Sequence, residues 1–333
     1  MAVDRHWYRS THTLFTGLLL PLSWLFGLVV WIRRALYRFG LKKTHHFSIP
    51  VIVVGNITVG GTGKTPFVIW LANFLKTQGF RPGIVSRGYG GKFNTVAQCV
   101  AADSDPKQVG DEVVLLAKRT DCPVVVCAKR VSAVQKLMAD SDCNVVISDD
   151  GLQHYSLGRN IEIAIVDGDR RFGNGCLLPA GPLREPITRL QEVDWVVAQQ
   201  QAQRGEYAMV LQGETLVKLH DQAHTKLLHD FAGATVHAVA AVGNPARFFA
   251  MLRCAGMNVI EHVFPDHYAY QASDFYFGDT LPIVMTEKDA VKCFIFADER
   301  FWCLPVTAQI DDALSVALLK KLGEIICVPS QKH

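Results

Sequence analysis

Residues 49–54 form a β-branched apolar run that passes into GNITVGGTGKTP (55–66) and then into an apolar stretch of helical length. A fully apolar strand belongs in a sheet covered on both faces, and glycines at this density let backbone N–H groups turn inward on an anion. The order strand, glycine loop, helix predicts a phosphate-binding loop at the carboxyl end of a strand. Thr58, Gly60, Gly61, Thr62, Gly63, Lys64 and Thr65 are then expected to bind ATP. Lys64 reaches the β/γ-phosphates, and the Thr65 hydroxyl holds Mg²⁺. Pro66 stands in the first helical turn, where its missing donor would be unpaired anyway. The loop departs from G-x-x-x-x-G-K-T at Thr58, where the first glycine would fall. Val59 stands where a related class of ATPases carries a signature lysine. The plain alternative is a glycine-rich turn without nucleotide.

Beyond this loop, short apolar runs alternate with helix-length segments. Strands are expected at 83–86, 123–126, 144–148, 161–166 and 193–198, and helices at 64–78, 110–119 and 129–139. This spacing predicts an α/β fold, a P-loop NTPase-like, mainly parallel sheet with helices on both faces. Residues 208–211 and 215–219 resemble a hairpin. A second alternating unit begins near 234, with strands at 235–242, 259–264, 282–285 and 302–306 and helices at 245–255 and 312–325. The expected organisation is an N-terminal membrane-associated helix with a basic flank (1–45), a P-loop core (46–205), a hairpin or linker (206–233) and a smaller C-terminal α/β domain (234–333).

Residues 13–32 carry no charge over 20 positions, enough to cross a bilayer core. Arg33, Arg34, Arg38, Lys42 and Lys43 follow with no acid among them, which favours the cytoplasmic side and anionic headgroups. Trp24 and Trp31 suit an interface. No A-x-A-like site follows, which argues against a cleaved signal peptide. A spanning helix, a helix lying on the membrane, and a buried core helix interrupted by Pro21 and Gly27 remain open. The net charge of +3 hides an asymmetry: residues 1–102 hold twelve Lys/Arg and one acid, whereas the remainder holds 22 Lys/Arg and 30 acids. A basic first third points to an anionic partner. With 49% hydrophobic and 20% charged residues the chain is no disordered polyelectrolyte. Nine cysteines without CxxC spacing read as reduced cytosolic thiols.

The remaining candidates lie at predicted strand ends. Asp149 and Asp150, after 144–148, suit Mg²⁺ opposite the phosphate loop, or an Asp-Gly turn. Asp111, in VGDE, suits a helix N-cap or a general base toward a substrate hydroxyl. FPDHYAY (264–270) puts Asp266 beside His267 after a strand of the second unit, so that closure of the two units would belong to catalysis. SRGYGG (86–91), with Arg87 and Tyr89, suits a loop that clamps a phosphate or sugar, or an exposed basic turn. LLPAGPLREP (177–186) and TEKDA (286–290) mix turn formers with charges and fit site loops without requiring them.

Together the apolar N-terminus, GNITVGGTGKTP, SRGYGG, VGDE, DDGLQH, LLPAGPLREP, FPDHYAY and TEKDAVK occur in the order seen in the tetraacyldisaccharide 4′-kinase family of the lipid A pathway. The resemblance runs from the apolar segment to about Cys293. It implies a kinase at the cytoplasmic face of the inner membrane that moves the γ-phosphate of MgATP to the 4′-hydroxyl of a tetraacylated glucosamine disaccharide 1-phosphate. By motif, Lys64 and Thr65 serve ATP and Mg²⁺, and Asp149 and Asp150 are metal-side carboxylates. Asp111 matches the catalytic aspartate and His267 the histidine that works with it. Asp266, Gln153 and Glu185 support the site. Arg87 and Tyr89 stand near the transferring phosphate or the lipid headgroup. Many members carry a second histidine where this chain has Tyr268. The implied partners are the lipid precursor and the anionic membrane surface. No nucleic-acid motif is present, and no obligate protein partner is evident. The rival reading is a membrane-attached P-loop ATPase that acts as a partner-regulated switch; Val59 counts against it.

Overall fold

The computed structural model describes residues 4–8, 13–92 and 95–327. A short helix, α1 (Asp4–Trp7), precedes the long α2 (Leu14–Arg38). The large unit then follows with β1 (Val51–Gly55), α3 (Lys64–Thr77), β2 (Pro82–Ser86), β3 (Gln98–Val100), α4 (Pro106–Val109), α5 (Asp111–Thr120), β4 (Val124–Val126), α6 (Arg130–Asp140), β5 (Val145–Asp149), β6 (Ile161–Asp167), β7 (Trp195–Gln199) and β8 (Tyr207–Gln212). The small unit contains β9 (Thr215–Lys218), β10 (Thr225–Leu227), β11 (Thr235–Ala240), α7 (Pro245–Cys254), β12 (Asn258–Val263), β13 (Ile283–Thr286), α8 (Glu287–Cys293) and β14 (Phe301–Leu304). The chain ends in β15 (Thr307–Ile310) and α9 (Asp312–Cys327).

The large sheet runs β15-β8-β7-β6-β1-β5-β2-β4-β3, parallel throughout except for its two edge strands, β15 and β3. Every residue of β1 is buried. Ile52 and Val54 face one core with Phe67, Leu71 and Leu75 of α3, while Val51 and Val53 face the other with Val134 and Leu137 of α6. This alternation is the period of two that a strand covered on both faces requires. Chain order reverses around β1, whose neighbours are β5 and β6, so the crevice at its carboxyl end is where an open α/β sheet takes a ligand. The second sheet runs β10-β9-β14-β13-β11-β12, with β12, β11, β13 and β14 parallel.

Two expectations about organisation are corrected. The predicted hairpin does not form: β8 pairs with β7 and β15 in the large sheet, whereas β9 pairs with β10 and β14 in the small one. Residues 213–214 are a crossing between the units, and a Cβ on Gly213 would stand 3.0 Å from the carbonyl oxygen of Pro305 in the returning crossing. The expected C-terminal domain at 234–333 also loses its end, because β15 adds to the large sheet and Leu314, Leu318 and Leu322 of α9 fill the same core as α3. That return buries an apolar helix face, at about 1.5–3 kcal/mol per fully buried leucine.

Helix α2 is turned inside out by the standard of a soluble protein. Its buried residues are Thr16 and Ser23, while Leu14, Leu18, Trp24, Leu25 and Trp31 are exposed. It rests on the large unit by its polar and small stripe. The Ser23 hydroxyl donates to the Leu177 carbonyl at 2.7 Å, and Gly27 lets Leu177 approach. At its carboxyl end Arg34 pairs with Glu192 and Arg33 donates to the Gln153 carbonyl. The buried-core alternative is thereby set aside.

Candidate active site

The phosphate loop leaves β1 and ends at Gly63, the N-cap of α3, with φ +86°. A side chain there would be strained, and its Cβ would meet Gln199 Oε1 at 2.8 Å. The loop and the first turn of α3 border a cavity of about 610 Å³, a size that suits a nucleotide or a sugar headgroup. Gly60, Gly61, Thr62, Gly63, Lys64 and Thr65 line it. Thr58 does not: it is buried and bridges Leu183 through the backbone. The same cavity is walled by Phe26, Val29, Val30 and Arg33 of α2, so one space joins the phosphate loop to the apolar helix.

Opposite the loop, β5 delivers Asp149 and Asp150. Lys64 Nζ lies 3.5 Å from Asp150, and Arg184 Nη1 reaches the same carboxylate at 3.0 Å. Burial alone would raise the Asp150 pKa, but Lys64 and Arg184 hold it well below the usual carboxylate range. Asp149 is 2% exposed and accepts from the Ser86 hydroxyl at 2.9 Å. Burial, then the nearby Glu112 and Asp150 carboxylates, push its carboxyl up to about 6. Asp149, Asp150 and the Thr65 hydroxyl line the same cavity, and oxygen donors of this kind suit a divalent cation. Among the described residues no group of three or more His, Cys, Asp or Glu is placed to hold a metal ion. Below them Arg130, 1% exposed, donates to the carbonyls of Asp149 and Cys127; burial lowers its pKa to about 10.

The third cluster joins the two units. Asp111 is the first residue of α5, with Gly110 as N-cap, so the expectation that its side chain is the cap gives way to a different partner. His267, 156 residues away, sets Nδ1 at 2.9 Å from Asp111 Oδ1. Asp111 is 4% exposed; burial would raise its pKa, but the His267 hydrogen bond and then the Lys288 charge bring it below the ordinary value. His267 lines the phosphate-loop cavity and also a second cavity of about 650 Å³, which Asp111 lines with it. Tyr89 packs edge-on against His267, ring centroids 4.8 Å apart. Gly90 makes room for that imidazole, since a Cβ there would lie 3.0 Å from Nδ1. Arg87 is exposed on the cavity wall. Asp266 binds Lys288 Nζ at 3.0 Å rather than pairing closely with His267, whose Nε2 is 3.8 Å away.

Of the supporting candidates, Glu185 is 1% exposed and accepts from the Tyr155 hydroxyl and from Gln153 Nε2. Gln153 also donates to the Asn56 carbonyl at 3.0 Å, tying 149–155 to the phosphate loop. His154 also lines the cavity, and burial, then Arg130 and Arg87, lower its pKa to about 3, which keeps it neutral. Sequence reasoning missed Glu112, Ser86, Arg130 and Lys288. It also missed a clasp beside the loop: Arg170 donates to the Gly243 carbonyl and Asn244, and Arg247 pairs with Asp167 and Asp169. Glu112, Ser86 and Lys288 lie in VGDE, SRGYGG and TEKDA, whereas Arg130 and the clasp residues carry no local signal.

The family model described as tetraacyldisaccharide-1-P 4′-kinase matches residues 15–323. A tetraacyldisaccharide 4′-kinase of Coxiella burnetii (strain RSA 331 / Henzerling II) is 52% identical over 326 residues, covering 98% of this chain and 97% of its own length. One from Nitrosococcus oceani is 51% identical over 325 residues, covering 96% and 94%. Among solved structures, LpxK from Aquifex aeolicus in complex with ATP superimposes with a TM-score of 0.76 at 28% identity, covering 93% of this chain and 100% of that one. With matches over nearly its whole length in sequence and in fold, the chain belongs to the tetraacyldisaccharide 4′-kinase family.

Proposed function

We propose that this protein transfers the γ-phosphate of ATP to the 4′-hydroxyl of a tetraacylated glucosamine disaccharide 1-phosphate, forming lipid IVA for lipid A at the cytoplasmic face of the inner membrane. One observation carries the reading: the phosphate loop and the apolar helix α2 wall the same cavity. A greasy acceptor held in a bilayer can bring its headgroup to ATP only if the phosphate site opens beside the membrane surface. The exposed leucines and tryptophans of α2, and the basic residues after them, support that placement. The contacts of Ser23, Gly27 and Arg34 along the large unit favour a helix lying in the interface over one crossing the bilayer.

In this mechanism the 59–63 backbone and Lys64 hold the β- and γ-phosphates, releasing Lys64 from Asp150. Thr65, Asp149 and Asp150 are the residues that would hold Mg²⁺, which neutralises charge on the phosphates when bound. Arg87, Arg184 and Tyr89 face the cavity where acceptor and terminal phosphate meet. The Asp111–His267 pair takes the proton of the 4′-hydroxyl as its oxygen bonds to phosphorus and the bridging P–O bond of ATP breaks, leaving ADP. Because Asp111 comes from the large unit and His267 from the small one, the pair is complete only with the units together. Gln153 and Glu185 brace the loop, and Asp266 anchors Lys288 beside the pair.

The test is ATP turnover by the purified protein with and without the disaccharide lipid. A kinase is nearly idle alone and releases ADP in step with acceptor added. Steady hydrolysis that ignores the lipid would favour the partner-regulated switch ATPase instead.

A further inference from the structure

Helix α8 points two lysines, one turn apart, at the Asp111–His267 pair from opposite ends. Lys288 Nζ lies 3.3 Å from His267 Nε2, 2.9 Å from Glu112 Oε1 and 3.0 Å from Asp266 Oδ1. Lys292 Nζ lies 3.6 Å from Asp111 Oδ2 and 3.0 Å from Asp289, over the ring of Tyr270. Residues four apart share a helix face, so one element sets both contacts.

The chemistry of an ammonium then decides where the histidine proton sits. Lys288 has donors only and no lone pair to offer. Two carboxylates beside it keep it charged, so at 3.3 Å it can meet Nε2 only if Nε2 is unprotonated. A neutral imidazole with a bare Nε2 carries its proton on Nδ1, and Nδ1 is the atom 2.9 Å from the Asp111 carboxylate. We infer that Lys288 is a positioning residue that fixes His267 as the Nδ1–H tautomer, donating to Asp111 and presenting an Nε2 lone pair to the acceptor's cavity. When the acceptor hydroxyl docks, Lys288 gives up this contact and keeps Glu112 and Asp266. The O–H bond breaks, an Nε2–H bond forms, and the resulting imidazolium is balanced by the Asp111 carboxylate on Nδ1. Lys288 then stands as a cation beside an imidazolium, which speeds return of the proton to water and resets the pair.

The charged and titratable groups facing His267 are Asp111 and Glu112 of α5, Asp266 of its own loop, Lys288 and, through Asp111, Lys292 of α8, and Tyr89 and Arg87 of the 86–91 loop. Removing the Lys288 charge leaves Glu112 and Asp266 without it, and both effects favour the imidazolium. A charge at this distance moves a pKa by about 1–3 units.

This inference rests on the reading of Asp111–His267 as the proton-accepting pair. Its test is made on the full chain in detergent with ¹⁵N-labelled histidine, His267 being assigned by the signals lost in His267→Gln. The expected result at neutral pH is a His267 Nε2 shift typical of an unprotonated nitrogen and an Nδ1 shift typical of a protonated one. In Lys288→Met the acid limb of the kcat–pH profile moves up by about 1–3 units, while Lys288→Arg, which keeps the cation, stays near the wild-type limb. A protonated Nε2 in the wild type, or a Lys288→Met profile that superimposes on it, overturns the proposal. A purely structural role would lower Tm in Lys288→Met without moving that limb. Wild-type transfer by His267→Ala would instead remove the underlying reading of the pair, while the nitrogen shifts still decide the tautomer.

Discussion

Replacing Gly243 by Ala tests how tightly the small unit must seat on the phosphate loop. Gly243 follows β11, and its backbone abuts the loop so closely that an added Cβ would lie 2.2 Å from the Gly61 nitrogen and 3.1 Å from Gly60 C and Gly61 Cα. Neither neighbour is a side-chain end that can swing away. Ordinary contact therefore needs a separation of about 1 Å between the 242–244 loop and the phosphate loop, an overpacking of the kind that costs about 1–3 kcal/mol. The clasp of Arg170 on Gly243 and Asn244 stretches with it. The same shift draws His267 away from Asp111, since His267 moves with the small unit while Asp111 stays with the large one. Misplacement of reacting groups by about 1 Å costs on the order of 100-fold in rate. The expected result is a fall of that order in kcat for phosphate transfer, with KM for ATP raised less and Tm lowered by only a few degrees. The assay follows ³³P from ATP into lipid at saturating acceptor, beside a thermal melt. Wild-type kcat in Gly243→Ala would refute the argument that seating the small unit on the loop assembles the site.

Three further variants probe other parts of the account. Lys64→Ala removes the cation that balances Asp150 and meets the phosphates, and should abolish transfer while the protein stays folded; activity within a factor of two of wild type would remove the phosphate-loop assignment. Asp111→Asn keeps the oxygen that accepts from the Glu112 N–H at 2.9 Å but loses the negative charge, so kcat should fall by about 100-fold or more with Tm little changed. Unchanged turnover would return Asp111 to a structural role. Leu18→Asn, Leu22→Asn and Leu25→Asn together remove exposed apolar surface worth about 1.5–3 kcal/mol each if buried in lipid, so sedimentation with anionic vesicles should drop sharply at unchanged Tm. Undiminished pelleting would contradict the membrane role of α2.

Much of the large unit was legible because its signals are local. The all-apolar β1, the glycine loop and the amphipathic α3 are dictated by residues within about thirty positions of one another. The strand 208–211 and the strand 215–219 read as a hairpin because each is strand-like and three residues lie between them, yet β8 and β9 enter different sheets. Partner choice depends on the return of β15 from nearly a hundred residues later, which no local pattern encodes. The same limit governs the site. VGDE and FPDH each nominated a residue, but the 2.9 Å contact of Asp111 with His267 is a product of how the two units pack. Thr58 was assigned to nucleotide from its place in a motif, and the fold turns it inward against Leu183. Lys288 was visible as part of TEKDA, although nothing in that string says its amine would meet Glu112, Asp266 and His267 at once.

The measurement that bears most directly on the central claim is the fate of the terminal phosphate of ATP. Purified protein, MgATP and the tetraacylated disaccharide 1-phosphate in mixed vesicles should yield ADP and one product heavier by a single phosphate, with the new phosphorus bonded to the 4′ oxygen by ³¹P–¹H correlation. An acceptor recovered unchanged while ATP is consumed, or a phosphate found elsewhere on the sugar, would contradict it.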